Sequence, residues 1–296
     1  MTFRIIRCTS RHFDRMVDFV SRYNPLAEHH VGYFGLAHED IRHAILMLNF
    51  RYDRGFRLAQ VGQELVGVMG VDFDRHTRRA WLYGPIVVSE PWMETAEALY
   101  EAVIRAIPAD AGIREYEIFV DSRNVNCRAL AERHDFTTLG EFAICTITPE
   151  RLAALPEATV ARWDGRYAGQ FAALHAELFP RSNYTLDYIL EEVDKGAVFL
   201  AESDGDQLAG YFFGHVAAGA NEAYVELVGV NPDYRRTGLG RRLMLAGLAR
   251  LRQTPGLSRL SLTVGSDNEP ALRLYDSLGF VREQDMMGFR KRVTRD

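Results

Sequence analysis

The chain has 296 residues, enough for two ordinary domains or one large one. Hydrophobic residues make up 47% and charged residues 25%, a globular and soluble composition. The net charge of −5 argues against a general binder of nucleic acid or of an anionic membrane, and no apolar run is long enough to span a bilayer.

The N-terminus, MTFRIIRCTSRHFDRM, lacks the apolar stretch of a signal peptide. Cys8, Cys127 and Cys145 are odd in number and widely spaced, so they read as reduced thiols in a cytoplasmic protein. Val61 to Val68 reads as a hairpin turn running into an apolar strand. Asp72-Phe73-Asp74-Arg75-His76 looks like another hairpin turn and not a metal site, and no metal is expected. Trp81 to Val88 is extended. The stretch SEPWMETAEALYEAVIRAI then reads as a helix, with Glu90 and Glu94 suiting its dipole. A further segment runs from Asn124 to Asp135-Phe136. Thr148 to Ala158, with two prolines and small residues, suits a connector.

Beyond the connector, Thr159 to Arg162 reads as a short strand. Tyr167 to Leu178 is a helix with Phe171, Leu174, Leu178 and Phe179 on one side. In the loop that follows, Arg181 and Tyr184 suit an anionic or sugar acceptor but read first as ordinary loop residues. Leu186 to Val193 is a second helix, and Ala197 to Ala201 and Leu208 to His215 are strands around the turn at 203–206. His175 reads as a helix-surface histidine and His215 as a strand histidine. Ala223 to Val230 is the next strand, and Arg241 to Arg252 the next helix. Leu260 to Val264 is a strand, and Ser266-Asp267-Asn268 caps a helix that carries Pro270 in its first turn and ends at Gly279. Val281 to Arg292 closes the chain as one or two strands, with Arg290-Lys291-Arg292 a solvated strand end.

The most informative stretch is VGVNPDYRRTGLGRRL, Val228 to Leu243. Two glycines let the backbone turn tightly with no Cβ in the way of a ligand. A helix begins at once, so free N–H groups collect at its N-terminus, a ready anion site. Arg235, Arg236, Arg241 and Arg242 add positive charge, and a phosphate or pyrophosphate is the expected guest. No Gly-Lys-Ser/Thr follows, so this is not a P-loop; the third glycine of a dinucleotide fingerprint is missing as well.

Arg235, Gly238 and Gly240 match Gln/Arg-x-x-Gly-x-Gly/Ala, and the arrangement resembles the acyl-CoA loop of the GNAT family of N-acetyltransferases. The segment from Asn268 through Tyr275 to Gly279-Phe280 resembles that family's second motif. The resemblance implies an α/β fold. It implies that the backbone of Arg236, Thr237, Gly238, Leu239, Gly240 and Arg241 holds the pyrophosphate of acetyl-CoA. The edge of Val228, Gly229 and Val230 would bond the pantetheine arm, which Asn268 also contacts. Glu226 stands where some members carry a carboxylate base, and by the period-2 rule it shares one face with Tyr224, Val228 and Val230. Tyr275 would protonate the departing thiolate. Glu222 is a weaker candidate base.

A repeat then emerges. Val61–Val68 pairs with Asp204–Tyr211, Trp81–Val88 with Tyr224–Val230, and Asn124–Phe136 with Asn268–Phe280. Placing Val88 on Val230 puts Met93, Ala96 and Ala98 at Arg235, Gly238 and Gly240, and Gly84 opposite Glu226. The Asn–Phe alignment puts Ala131 at Tyr275. The expectation is two tandem GNAT-like domains, each a mixed, mostly antiparallel sheet flanked by helices. Residues 1–150 would be degenerate and non-catalytic, and residues 151–296 catalytic. The expected activity is transfer of an acetyl group from acetyl-CoA to a primary amine, first of a small molecule and second of a peptide or protein. A non-catalytic acyl-CoA-binding module is the rival, and a homodimer stays open.

Overall fold

The computed structural model describes residues 3–180, 182, 184–216 and 221–293. In chain order the first elements are β1 (Arg4–Arg7), α1 (Ser10–Tyr23), α2 (His38–Leu46), α3 (Tyr52–Gly55), β2 (Arg57–Val61), β3 (Glu64–Asp74) and β4 (Arg79–Val87). Then come α4 (Trp92–Ile104), β5 (Glu115–Asp121), α5 (Val125–Arg133), β6 (Thr137–Ile147) and α6 (Pro149–Ala153). The last are α7 (Ala168–Leu178), α8 (Leu186–Asp194), β7 (Val198–Asp204), β8 (Gln207–Val216), β9 (Glu222–Val230), α9 (Leu239–Leu251), β10 (Arg259–Gly265), α10 (Glu269–Ser277) and β11 (Val281–Arg292).

Two compact units result: Met1–Phe142 with Asp285–Asp296, and Ala143–Gln284. They do not follow a cut at residue 150. The last strand is a single one, and Met286 to Arg292 pairs antiparallel with β5, so the chain's end completes the first unit. Hydrophobic alternation marks a strand but does not name its neighbour. Arg290 is also not a solvated strand end, because its guanidinium is largely buried on Glu117.

In the first unit the strand order is β1-β2-β3-β4-β5-β11, antiparallel except for the β4–β5 pair. One core fills it, with Met16, Val17, Ile41, Phe56, Leu82 and Leu99 all buried. In α1, Phe13, Met16, Val17 and Val20 recur at helical spacing, which is why that segment coils. In the second unit the order is β6-β10-β9-β8-β7, with β9 and β10 parallel and β7, β8 and β9 antiparallel. Alternation along β8 sends Phe212 to one cluster, with α9, and Tyr211 and Phe213 to another, with α7 and α8. The expected strand at 159–162 is reduced to one bridge, Arg162 to Leu200.

Candidate active site

The anion loop lies between β9 and α9. Asn231 starts it: its side chain accepts from the Asp233 amide at 3.2 Å and donates to the Leu208 carbonyl at 3.3 Å. A 3-10 turn, Pro232–Tyr234, follows, and Thr237 Oγ1 donates to the Tyr234 carbonyl at 2.8 Å. Arg236 (φ 64°) and Gly238 (φ 85°) both sit in the left-handed region. Such reversals turn successive N–H groups toward one point, the geometry of an anion-binding nest. Gly238 is the N-cap of α9, and no side chain caps it. The first-turn amides therefore lack an intrahelical acceptor and have no cap in their place. That fits a polyphosphate.

The two glycines act differently. Gly238 is required by its φ, since no heavy atom lies near the place of a Cβ. Gly240 is helical, and a methyl there would make ordinary contacts with Leu274 at 3.5 Å and Val230 at 3.6 Å. All four arginines are exposed. Arg241 bonds Ser277 Oγ at 2.9 Å and Arg242 pairs with Glu202 at 2.9 Å.

A second feature is a gap in the sheet. The parallel ladder between β9 and β10 runs from Glu222 and Arg259 only as far as Val225 and Leu262. Residues 226–230 thus leave the ladder, and their edge is available for strand-like bonding to an extended ligand. On the other side, β9 carries a bulge: Phe213 faces Leu227 and Gly214 faces Val225, so Glu226 is the extra residue. The bulge overturns the expected face. Val228 and Val230 pack with the α9 cluster, whereas Leu227 joins the α7–α8 cluster and a Cβ on Gly229 would strike the Tyr211 ring at 2.4 Å. Glu226 faces that second side, with His215 and Tyr184.

Around Glu226 the groups are specific. His215 Nδ1 stands 3.6 Å from Glu226 Oε1, and both side chains are partly exposed. Tyr184 hydrogen-bonds the Glu226 carboxylate, and burial first, then that carboxylate, pushes the phenol well above its ordinary range. Tyr224 stacks on His215, with ring centroids 5.6 Å apart, and donates to Glu222 at 2.6 Å. Tyr184 and His215 are thus site neighbours that sequence reasoning set aside; the signal that finds His215 is its cross-strand pairing with Tyr224. His175 is not on a helix surface: it is buried, with Nδ1 2.8 Å from the Tyr211 hydroxyl, and burial lowers its pKa. Arg181 lies outside the described residues.

Asn268 is the N-cap of α10, its Oδ1 accepting from the Ala271 amide at 3.3 Å. Tyr275 sits on that helix, half-buried, 6.0 Å from the Phe280 ring. Burial, with Cys145 beside it, pushes its pKa up to about 12, so the hydroxyl keeps its proton at neutral pH. Gly279 closes the helix at φ 88°.

The first unit repeats this framework with changed contents. Asn124 caps α5 as Asn268 caps α10, accepting from Cys127 at 3.1 Å. Ala131, at the position of Tyr275, is fully buried. The strand comparison shifts by one residue. Gly67 faces Val87 as Gly210 faces Val230, so Val87 stands for Val230, Pro85 for Val228 and Tyr83, not Gly84, for Glu226. The loop alignment changes more. Residues 88–91 separate β4 from α4, against 231–238 between β9 and α9, so Met93, Ala96 and Ala98 have no loop to occupy. An ungapped alignment cannot see a four-residue deletion.

Among the described residues no group of three or more His, Cys, Asp or Glu is placed to hold a metal, and no helix is long and apolar enough to cross a membrane. Asp74 Oδ1 accepts from the His76 and Thr77 amides, a hairpin turn, while Asp72 is buried in β3.

Loop, gap and capped second helix all belong to the second unit. A family model described as the acetyltransferase (GNAT) family matches residues 159–280, all within the second unit. Members use acetyl-CoA as acyl donor. A curated relative, the mycothiol acetyltransferase of Thermobispora bispora, is 39% identical over 46% of this chain and 50% of its own length. The matched part thus spans about half of that relative. Among solved structures, a GCN5-related N-acetyltransferase from Sphaerobacter thermophilus superposes with a TM-score of 0.69, at 15% identity over 99% of this chain and 96% of its own. A tandem GNAT protein from the clavulanic acid biosynthesis pathway superposes with a TM-score of 0.65, at 14% identity over the full length of both.

Proposed function

We propose that the chain is an N-acetyltransferase that moves an acetyl group from acetyl-CoA to the primary amine of a small molecule, in the second unit alone. The observation that carries this is the uncapped N-terminus of α9 behind a left-handed loop, beside a strand edge that has left its ladder. Acetyl-CoA supplies an acetyl group activated as a thioester. The backbone of Arg236 to Arg241 holds its pyrophosphate, and the edge of Val228, Gly229 and Val230 bonds its extended arm. A backbone N–H on that edge polarises the acyl carbonyl, an oxyanion-hole role. Asn268, the cap of α10, contacts the same arm.

Glu226 removes a proton from the acceptor. A lysine-type amine titrates near ~10.4 and needs this help at pH 7, whereas an α-amine near ~7.7 needs little. Tyr275 holds a proton at its hydroxyl for the sulfur. Acid-rich, aromatic surroundings at Glu226, Glu222, Tyr184 and Tyr224 suit a cationic acceptor. The similarity to a mycothiol acetyltransferase favours a small molecule over a peptide. The reading places the enzyme in the cytoplasm, with no nucleic-acid partner.

A thiol-release assay tests it, with acetyl-CoA as donor and glucosamine, S-methylcysteinamide, lysine amide and a short peptide as acceptors. Turnover of a small amine ahead of the peptide is expected. Acetyl-CoA binding without turnover of any amine would contradict the enzyme and leave an acyl-CoA-binding module.

A further inference from the structure

We infer that His215 is a positioning residue that carries the acceptor's proton from Glu226 to solvent; this rests on the reading of Glu226 as the base. Each turnover leaves Glu226 protonated, and the proton has to leave before the next. Tyr184 donates to that carboxylate and is held protonated by burial, so it is a poor outlet. Tyr224 is likewise shifted up by burial and already donates to Glu222. The imidazole of His215 remains, with a ring nitrogen facing the carboxylate.

Its geometry suits the task. Glu226 stands two residues after Tyr224, the cross-strand partner of His215, and its carboxylate lies 3.6 Å from the imidazole. This is longer than a hydrogen bond and is closed by a small side-chain movement or one bridging water. His215 stacks on Tyr224 and keeps 29% of its side chain exposed, so one edge meets Glu226 and another meets water. The charged and titratable groups around it are Glu226 and Tyr224 on β9, with Glu222 and Arg259 beyond Tyr224 and Tyr184 beyond Glu226. The step balances. An N–H bond of the ammonium breaks as O–H forms on Glu226. That O–H then breaks as N–H forms on His215, and the imidazolium gives a proton to water. The first unit holds no such pair: by the same register Asp72 stands for His215 and Tyr83 for Glu226, and Asp72 is committed to the Phe50 amide at 2.7 Å.

The test uses the full chain with acetyl-CoA and lysine amide or glucosamine, in dilute buffer. His215→Gln and His215→Phe are expected to lower kcat about tenfold with both KM values unchanged, and added imidazole to restore most of the loss. A purely structural role would not respond to imidazole. A kcat within about twofold of the parent, or a loss that imidazole leaves untouched, overturns the relay. Glu226→Gln separates the two levels. If it loses turnover while His215→Gln does not, only the relay fails. If it keeps turnover, Glu226 is not the base and the relay falls with it.

Discussion

The connections after β4 and after β9 leave equivalent strands and enter helices of equal length, yet one spans residues 88–91 and the other 231–238. In the longer one, two left-handed residues lead the backbone to a helix start that no side chain caps. In the shorter one, Glu90 Oε2 accepts from the Trp92 amide at 3.1 Å, so the helix carries its own anion. The strands differ in the same sense. Pro85 stands for Val228 and has no N–H to offer, and its carbonyl already accepts from Cys127 Sγ at 3.2 Å. One fold can leave a helix start open or neutralise that start internally, and a few residues decide which.

The comparison can be broken in steps. Glu226→Gln takes from the second unit the carboxylate that Tyr83 does not supply in the first. Steady-state kinetics with lysine amide should show kcat falling about a thousandfold at pH 7, with recovery as pH rises toward the amine's own pKa. Replacing residues 231–238 by the sequence of 88–91 should weaken acetyl-CoA binding at least about a hundredfold, or about 2.7 kcal/mol, by calorimetry. Circular dichroism on the same sample checks that it is folded.

Tyr275→Phe should lower kcat about tenfold and leave acetyl-CoA affinity unchanged. Because burial raises the Tyr275 pKa to about 12, its donor form outlasts the ordinary phenol range. An alkaline limb in kcat below about pH 11 would therefore belong to another group. The smallest effect is expected from Glu90→Gln. It removes a charge at the start of α4 and should cost the first unit about 0.5–1 kcal/mol in a urea melt. It should not create a second acetyl-CoA site, because the shorter loop and Pro85 remain.

Much of this was legible in residues. The glycine pair after an apolar strand announced the loop, and Gly238 does take the φ that only glycine adopts freely. Asn268 and Gly279 bound α10 as their types suggest, and Asn124 repeats the cap. Three things stayed hidden. The bulge at Glu226 breaks the period-2 rule without a marker in the sequence, so Val228 and Val230 were placed on the wrong face. The short loop of the first unit could not be seen without the ladder register. The partner of β11 depends on which edge lies near, which alternation does not encode.

The central claim is that one unit binds the donor and the other does not. Calorimetric titration of the full chain with acetyl-CoA measures this directly. One site per chain, abolished by the loop exchange at 231–238, is the predicted result. Two sites per chain, or one site that survives that exchange, would contradict it.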